Sequence, residues 1–194
     1  RLGVDNMTRY YCSGFDINNA FGHGLGDMFL SKLKDTKSIV YIPGSPEKIQ
    51  KAREKYVPVF TEHFKNVGIQ FDSSIIITPE MNNDEAQKAV KEASFIMLMG
   101  GDPFKQKEMC EKLGLLDELK KYDGVMLGFS AGAMLMSKHI IITPCSEEYP
   151  EFHIEEGLNL GGISIYPHNN FIGTNFPKEI IDDKEITKSV DLIK

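Results

Sequence analysis

Four short, nearly unbroken apolar runs limit what this chain can fold into: SIVYI at 38–42, SIIIT at 74–78, SFIMLM at 94–99 and VMLGF at 125–129. Successive side chains of a strand point to opposite faces, so a strand is apolar throughout only when both faces are covered. Between these runs lie longer stretches with apolar residues three to four positions apart. The clearest carries Ile49, Ala52, Tyr56, Val57, Phe60 and Phe64 on one stripe. Short strands alternating with amphipathic helices predict βα units stacked into a parallel sheet. Strands are expected over 9–13, 38–42, 74–78, 94–99 and 125–129, and helices over 19–34, 46–66, 84–92 and 103–121. The fold class that follows is α/β, a three-layer sandwich with a mostly parallel sheet flanked by helices. A length of 194 residues suits one domain, so residues 1–194 are expected to form a single α/β hydrolase-type domain. The chain opens on Arg1 and stops at SVDLIK without an obvious terminator, which leaves trimming at either end open. The tail after Asn169 is more polar and carries only a weak helical stripe.

Composition excludes several partners. With 22 basic and 28 acidic residues the net charge is -6, and no Lys/Arg stripe offsets it, so a nucleic-acid partner is not expected. No run reaches the roughly 18 apolar residues that a membrane span needs, and the start lacks a signal peptide's apolar centre. No membrane partner and a cytoplasmic location are therefore expected. Cys12, Cys110 and Cys145 are widely spaced without a CxxC pair, which suits reduced thiols. The histidines show no HExxH or comparable spacing, so no metal is expected.

Two motifs have bland readings that fit better than the chemical ones. In FGHGLGDMF the glycines fall at 22, 24 and 26, which puts Asp27 where a dinucleotide fingerprint needs its third glycine. The next strand also ends in YIPG, without an acid for a ribose, so no cofactor is expected. In PGSPEKIQ, Ser45 and Pro46 read as an N-cap and a first-turn proline, a simpler account than a Ser45-x-x-Lys48 nucleophile and base.

GFSAG, Gly128 to Gly132, is different. It matches the GxSxG elbow, in which a serine sits on a tight strand-to-helix turn with its hydroxyl exposed. VML before it reads as a buried strand and AGAMLMS after it as a helix, the context the motif requires. Ser130 is thus the candidate nucleophile. Such a serine needs an oxyanion hole and a base. The backbone N–H of Ala131 is one donor, and a second comes from MGGDPF, where Gly100 and Gly101 end a strand on the same sheet edge. Of the five histidines, His23 lies in the glycine-rich loop, His63 on a helix, His139 past the elbow helix and His153 in an acidic loop. His168 follows the β-like run 163–166, stiffened by Pro167, and is the best placed as base.

Taken together, SGFD, YIPGS, MGGDPF, GFSAGAM and GLNLGGISIYPH, in this order, resemble the peptidase E family of aspartyl dipeptidases, with the cyanophycinases as more distant relatives. The resemblance covers most of the chain. It implies a flavodoxin-like sandwich of the class I glutamine amidotransferase type, with serine in place of the cysteine nucleophile. It also implies Ser130 as nucleophile, His168 as base, and the N–H groups of Gly101 and Ala131 as oxyanion donors. The family's acid is a glutamate well downstream of the histidine. Only 26 residues follow His168, and Glu179 and Glu185 among them do not match that setting. Glu147, with Glu148 beside it in PCSEEYPE, is the candidate acid inside the chain; an acid beyond Lys194 is the alternative.

The expected function is a serine peptidase that hydrolyses small peptides in the manner of a dipeptidase. Arginine would be the best reader of an aspartate side chain, yet the only arginines are Arg1, Arg9 and Arg53, which argues against strict aspartyl specificity. Lys138 or Lys178 would serve less selectively. Two other functions stay open: a non-catalytic small-molecule binding or sensing domain of the same fold, and an amidotransferase-like acyl transferase. The expected partner is a small peptide substrate, and a homodimer is left open.

Overall fold

A computed structural model describes residues 7–12, 21, 24–142, 144 and 147–167. His168 and the polar tail lie outside the described residues, as do the start expected for the first helix, His23 and Cys145.

Five strands among the described residues form one parallel sheet in the order β1-β5-β4-β2-β3. They are β1 (Thr8–Cys12), β2 (Ser38–Gly44), β3 (Ser73–Ile76), β4 (Phe95–Gly101) and β5 (Val125–Phe129). Each lies within one or two residues of the range expected from its apolar run. The reason those runs are unbroken is plain from the packing. Val40, Ile42, Ile96, Leu98 and Met126 face one core, shared with α4 (Asn83–Glu92), α5 (Pro103–Lys112), α6 (Leu116–Lys121) and α7 (Ala131–Met136). Ile39, Tyr41, Phe95, Met97, Val125 and Leu127 face the other, shared with α1 (Leu25–Lys32) and α3 (Val57–Asn66). Alternate residues thus serve two apolar layers, and the α/β sandwich follows.

The helical stretch expected over 46–66 is one run with internal changes of pitch: a 3-10 turn Pro46–Lys48, a short α2 (Ile49–Lys51), a π segment Ala52–Tyr56, then α3. Pro58 has no N–H to give to the preceding turn, and the wider π turn just before it accommodates that gap. The helix expected over 103–121 is instead two, α5 and α6, broken at Gly114. Ser45 is not a side-chain cap. Ser45 does stand at the N-cap position with Pro46 in the first turn, as the sequence suggests, but the turn is closed by the backbone, Lys48 N donating to Ser45 O at 2.9 Å.

Two further corrections concern the region after α7. An antiparallel pair, β6 (His139–Ile142) with β7 (His153–Glu156), occupies what reads from sequence as helix exit and acidic loop. The run 163–166 is buried from Ser164 onward but is not a strand. Its polar groups are used singly, Lys138 N donating to Ile163 O at 2.8 Å and Ile165 N to the Ser137 hydroxyl at 3.0 Å, so no ladder forms. No helix among the described residues is long and apolar enough to cross a membrane.

Candidate active site

Strands β2 and β4 are neighbours, yet the chain leaving β2 turns to the α3 layer and the chain leaving β4 turns to the α5 layer. Connections that part in this way open a crevice at the carboxyl ends of a parallel sheet, where α/β folds hold ligands. Gly44, Gly100 and Gly101 pack together at the carboxyl ends of β2 and β4, and Ser130 stands beside them, directly after β5.

Ser130 has φ 50° and ψ −115°, a conformation rare for a residue with a side chain. Holding it there costs on the order of 1–3 kcal/mol and requires surroundings that permit nothing else. Two restraints supply them. Ser130 N donates to Cys12 O of β1 at 2.9 Å, while Ser130 O accepts from Met134 N at 3.1 Å in the first turn of α7. Helix α7 is buried along its whole length and lies directly on β4. A β-carbon at Gly132 would sit 2.1 Å from Leu98 O, so only glycine permits this approach.

The glycine pair adjoins this elbow. A β-carbon on Gly100 would lie 3.0 Å from the Phe129 ring and 3.6 Å from Ser130 Cβ. Gly101 has φ 140°, a region that L side chains rarely adopt, and a β-carbon there would meet Gly44 C at 2.5 Å and Ser45 Oγ at 2.6 Å. The next residue anchors the turn: Asp102 N donates to Gly44 O at 2.7 Å. Its carboxylate accepts from Phe104 N at 2.9 Å and Lys105 N at 3.0 Å, capping α5. The other oxygen accepts from Tyr149 Oη at 2.7 Å. Beneath, the fully buried Gln106 donates to Ile42 O at 2.7 Å and Met99 O at 3.1 Å, tying β2 to β4 where the register shifts between Ile42 and Gly44.

Ser130, Ala131 and Gly101 therefore meet at one edge, as their order in the sequence suggests. Glu147 is exposed, on the segment that crosses the first turn of α5. Glu148 pairs with Lys105 at 2.7 Å, and this hydrogen bond raises the lysine's pKa. His63 is buried between the Phe21 and Phe60 rings, with centroid separations of 5.7 and 6.4 Å. His139 Nδ1 lies 3.2 Å from Ser164 Oγ at the far end of α7. His153 Nε2 lies 3.2 Å from Glu155, whose carboxyl is held below its ordinary range chiefly by a hydrogen bond from Lys107. His168 lies outside the described residues. Asp102, Gln106 and Tyr149 escaped the reading of the sequence. The order Asp-Pro ahead of an amphipathic run marks an N-cap and could have identified Asp102; nothing local marks the other two.

Arg9 sits at the opposite end of the sheet. Its guanidinium donates to Gly124 O at 2.8 Å and also to Tyr122 O. Burial lowers its pKa.

The model of peptidase family S51 matches residues 17–190 of the chain. No curated protein matches it. Among solved structures, it is similar to a peptidase from an acI-B1 Actinobacterium, with 18% identity, a TM-score of 0.62, and coverage of 96% of this chain and 74% of that one. It is also similar to a candidate peptidase E of Listeria monocytogenes EGD-e, with 18% identity, a TM-score of 0.61, and coverage of 96% and 86%. At that identity these two likenesses establish the α/β fold.

Proposed function

Because the chain belongs to peptidase family S51, and is thus a serine-type peptidase, we propose that Ser130 is its nucleophile and small peptides are its substrates. The observation that carries this is the backbone of Ser130, φ 50° and ψ −115°, held between β1 and α7 beside the glycines that end β2 and β4. Strain retained at one serine on a ligand-binding sheet edge is a mark of function.

In this reading Ser130 Oγ attacks the peptide carbonyl while His168 takes its proton. The N–H groups of Gly101 and Ala131 stabilise the oxyanion that forms. His168 returns the proton to the leaving amine, and water releases the acyl group by the same route in reverse. The segment before His168 is fastened near the C-terminal end of α7 by Ile165 N donating to Ser137 Oγ at 3.0 Å. Three residues of chain reach at most ~10 Å, and the six-residue α7 is ~9 Å long, so the spacing is compatible with a histidine serving Ser130. Glu147 is carried forward as the acid that orients the histidine.

Two lysines lie on the chain that leaves β2 and β4: Lys48 follows β2 and is paired with Glu47, and Lys105 on α5 is paired with Glu148. Arg9 is committed to carbonyls at the other end of the sheet. The substrates proposed are therefore small peptides without a strict demand for an N-terminal aspartate.

Reaction with a fluorophosphonate probe tests the assignment. Wild type should label at Ser130, Ser130→Ala should not label, and His168→Ala should lose reactivity by about a thousandfold or more. A folded wild-type chain that fails to label, or a Ser130→Ala chain that labels, would refute it. Glu147→Gln tests the acid, with a loss of up to ~10⁴ expected in peptide turnover; an unchanged rate would remove Glu147 from the triad.

A further inference from the structure

Glu148 and Tyr149, just before β7, and His153 and Glu155 on β7 are clamped onto the first turns of α5. Lys105 pairs with Glu148 and Lys107 with Glu155, both at 2.7 Å. The Phe104 ring meets His153 edge-on at 4.5 Å and Tyr149 at 5.6 Å between centroids. At the crevice end of this clamp, the Tyr149 hydroxyl donates to Asp102 at 2.7 Å.

Asp102 is poorly placed to be only a helix cap. Its backbone N–H is bound to Gly44 O of β2, and one carboxylate oxygen already serves Phe104 N and Lys105 N. The remaining oxygen is the one Tyr149 occupies. Asp102 is also the residue directly after Gly101, whose φ is 140°. With φ and ψ of −102° and 116°, Asp102 itself is in an extended conformation that many arrangements of the turn would tolerate. What distinguishes this arrangement is that hydrogen bonds shared among β2, α5 and Tyr149 meet on one residue.

We propose that Tyr149 is a positioning residue for the oxyanion loop: its hydroxyl, bound to Asp102, holds in place the residue that follows Gly101 and so limits how far the turn bearing the Gly101 N–H can shift. The inference rests on the reading of Gly101 as an oxyanion donor. Preorganised donors are worth most when they need not reorganise as charge develops, so releasing one restraint slows bond formation more than it weakens prior binding. The bond from Tyr149 to a carboxylate is charge-assisted, and such bonds are stronger than those between neutral groups.

Saturation kinetics of fluorophosphonate labelling separate this role from a merely structural one, because the phosphoryl oxygen enters the oxyanion hole as Ser130 attacks. Tyr149→Phe keeps the ring and removes only the hydroxyl. Its first-order labelling constant at saturating probe should fall about tenfold, with the half-saturating concentration and labelled end point unchanged. Asp102→Asn, which replaces the acceptor oxygen, should lose a similar factor, and the double variant should lose no more than the worse single one. Lys107→Met, which breaks a clamp contact remote from Asp102, should label at the wild-type rate. An unchanged rate constant in Tyr149→Phe overturns the inference while leaving Ser130 in place. A lowered end point at an unchanged rate constant also overturns it, since that means fewer folded molecules. A wild-type chain that does not label overturns both this inference and the assignment of Ser130.

Discussion

Replacing Gly132 by alanine should separate the elbow from the rest of the fold. An added β-carbon would lie 2.1 Å from Leu98 O, 2.5 Å from Leu98 C and 2.7 Å from Leu98 Cβ, where real contacts do not fall below 3.0 Å. Leu98 cannot give way. It is fully buried in the middle of the sheet and paired in register with Ile42 on one side and Gly128 on the other. Helix α7 must therefore retreat, and 2.1 Å against 3.0 Å asks for a movement of about 1 Å. Overpacking of this kind costs ~1–3 kcal/mol. For a chain of this size ~2 kcal/mol lowers the melting temperature by roughly 4–8 °C. The same displacement carries Ser130 and the Ala131 N–H with it, and misplacing reacting groups by about 1 Å costs ~10²-fold in rate. Thermal unfolding followed by circular dichroism reads the first effect, and the rate of fluorophosphonate labelling reads the second. A Gly132→Ala protein that melts within about 1 °C of wild type and labels as fast would refute the close packing of α7 on β4.

Two further outcomes probe the scaffold. Gln106→Leu removes both donors from Ile42 O and Met99 O and should cost ~1–3 kcal/mol, read as a lower denaturant midpoint at unchanged slope; an unchanged midpoint would mean that the strands do not depend on this bridge. Burial pushes Cys12 up to about 11, Cys110 to about 12, and Tyr11 and Tyr41 to about 12, from 9.0 for the thiols and 10.0 for the phenols. In the unfolded chain these groups would ionise first, so their contribution is intact below about pH 9 and is lost as pH rises towards 11–12. Denaturant midpoints should therefore fall between pH 8.5 and about 10.5, and midpoints that rise or hold steady over that interval would contradict the burial of these side chains.

The fold is legible in the sequence wherever a physical pattern is local. A strand between two helix layers must be apolar at every position, so SIVYI, SIIIT, SFIMLM and VMLGF reveal themselves without reference to anything distant. The elbow is legible for the same reason, since the strand, the glycines and the following helix are contiguous. Ser45 shows the limit of such reasoning. A serine before a proline has the right chemistry for a cap, but here a backbone bond closes the turn, and Ser45 Oγ lies close to Gly101 instead. The β6–β7 pair was missed because HIII and HIEE carry too little alternation to stand out, and their pairing is decided by contact across the intervening segment.

By itself, then, the sequence determined a parallel sheet with two covered faces, the strand bearing Ser130, and the glycines that crowd its end. It did so because periodicity and turn chemistry act within a few residues. Only the tertiary structure decided that the connections leaving β2 and β4 part to opposite layers at one edge, that α7 rests on Leu98, and that Tyr149 reaches Asp102 across 47 positions of chain. Those contacts depend on how the layers stack, and no local pattern of residues encodes which distant side chain completes a hydrogen bond.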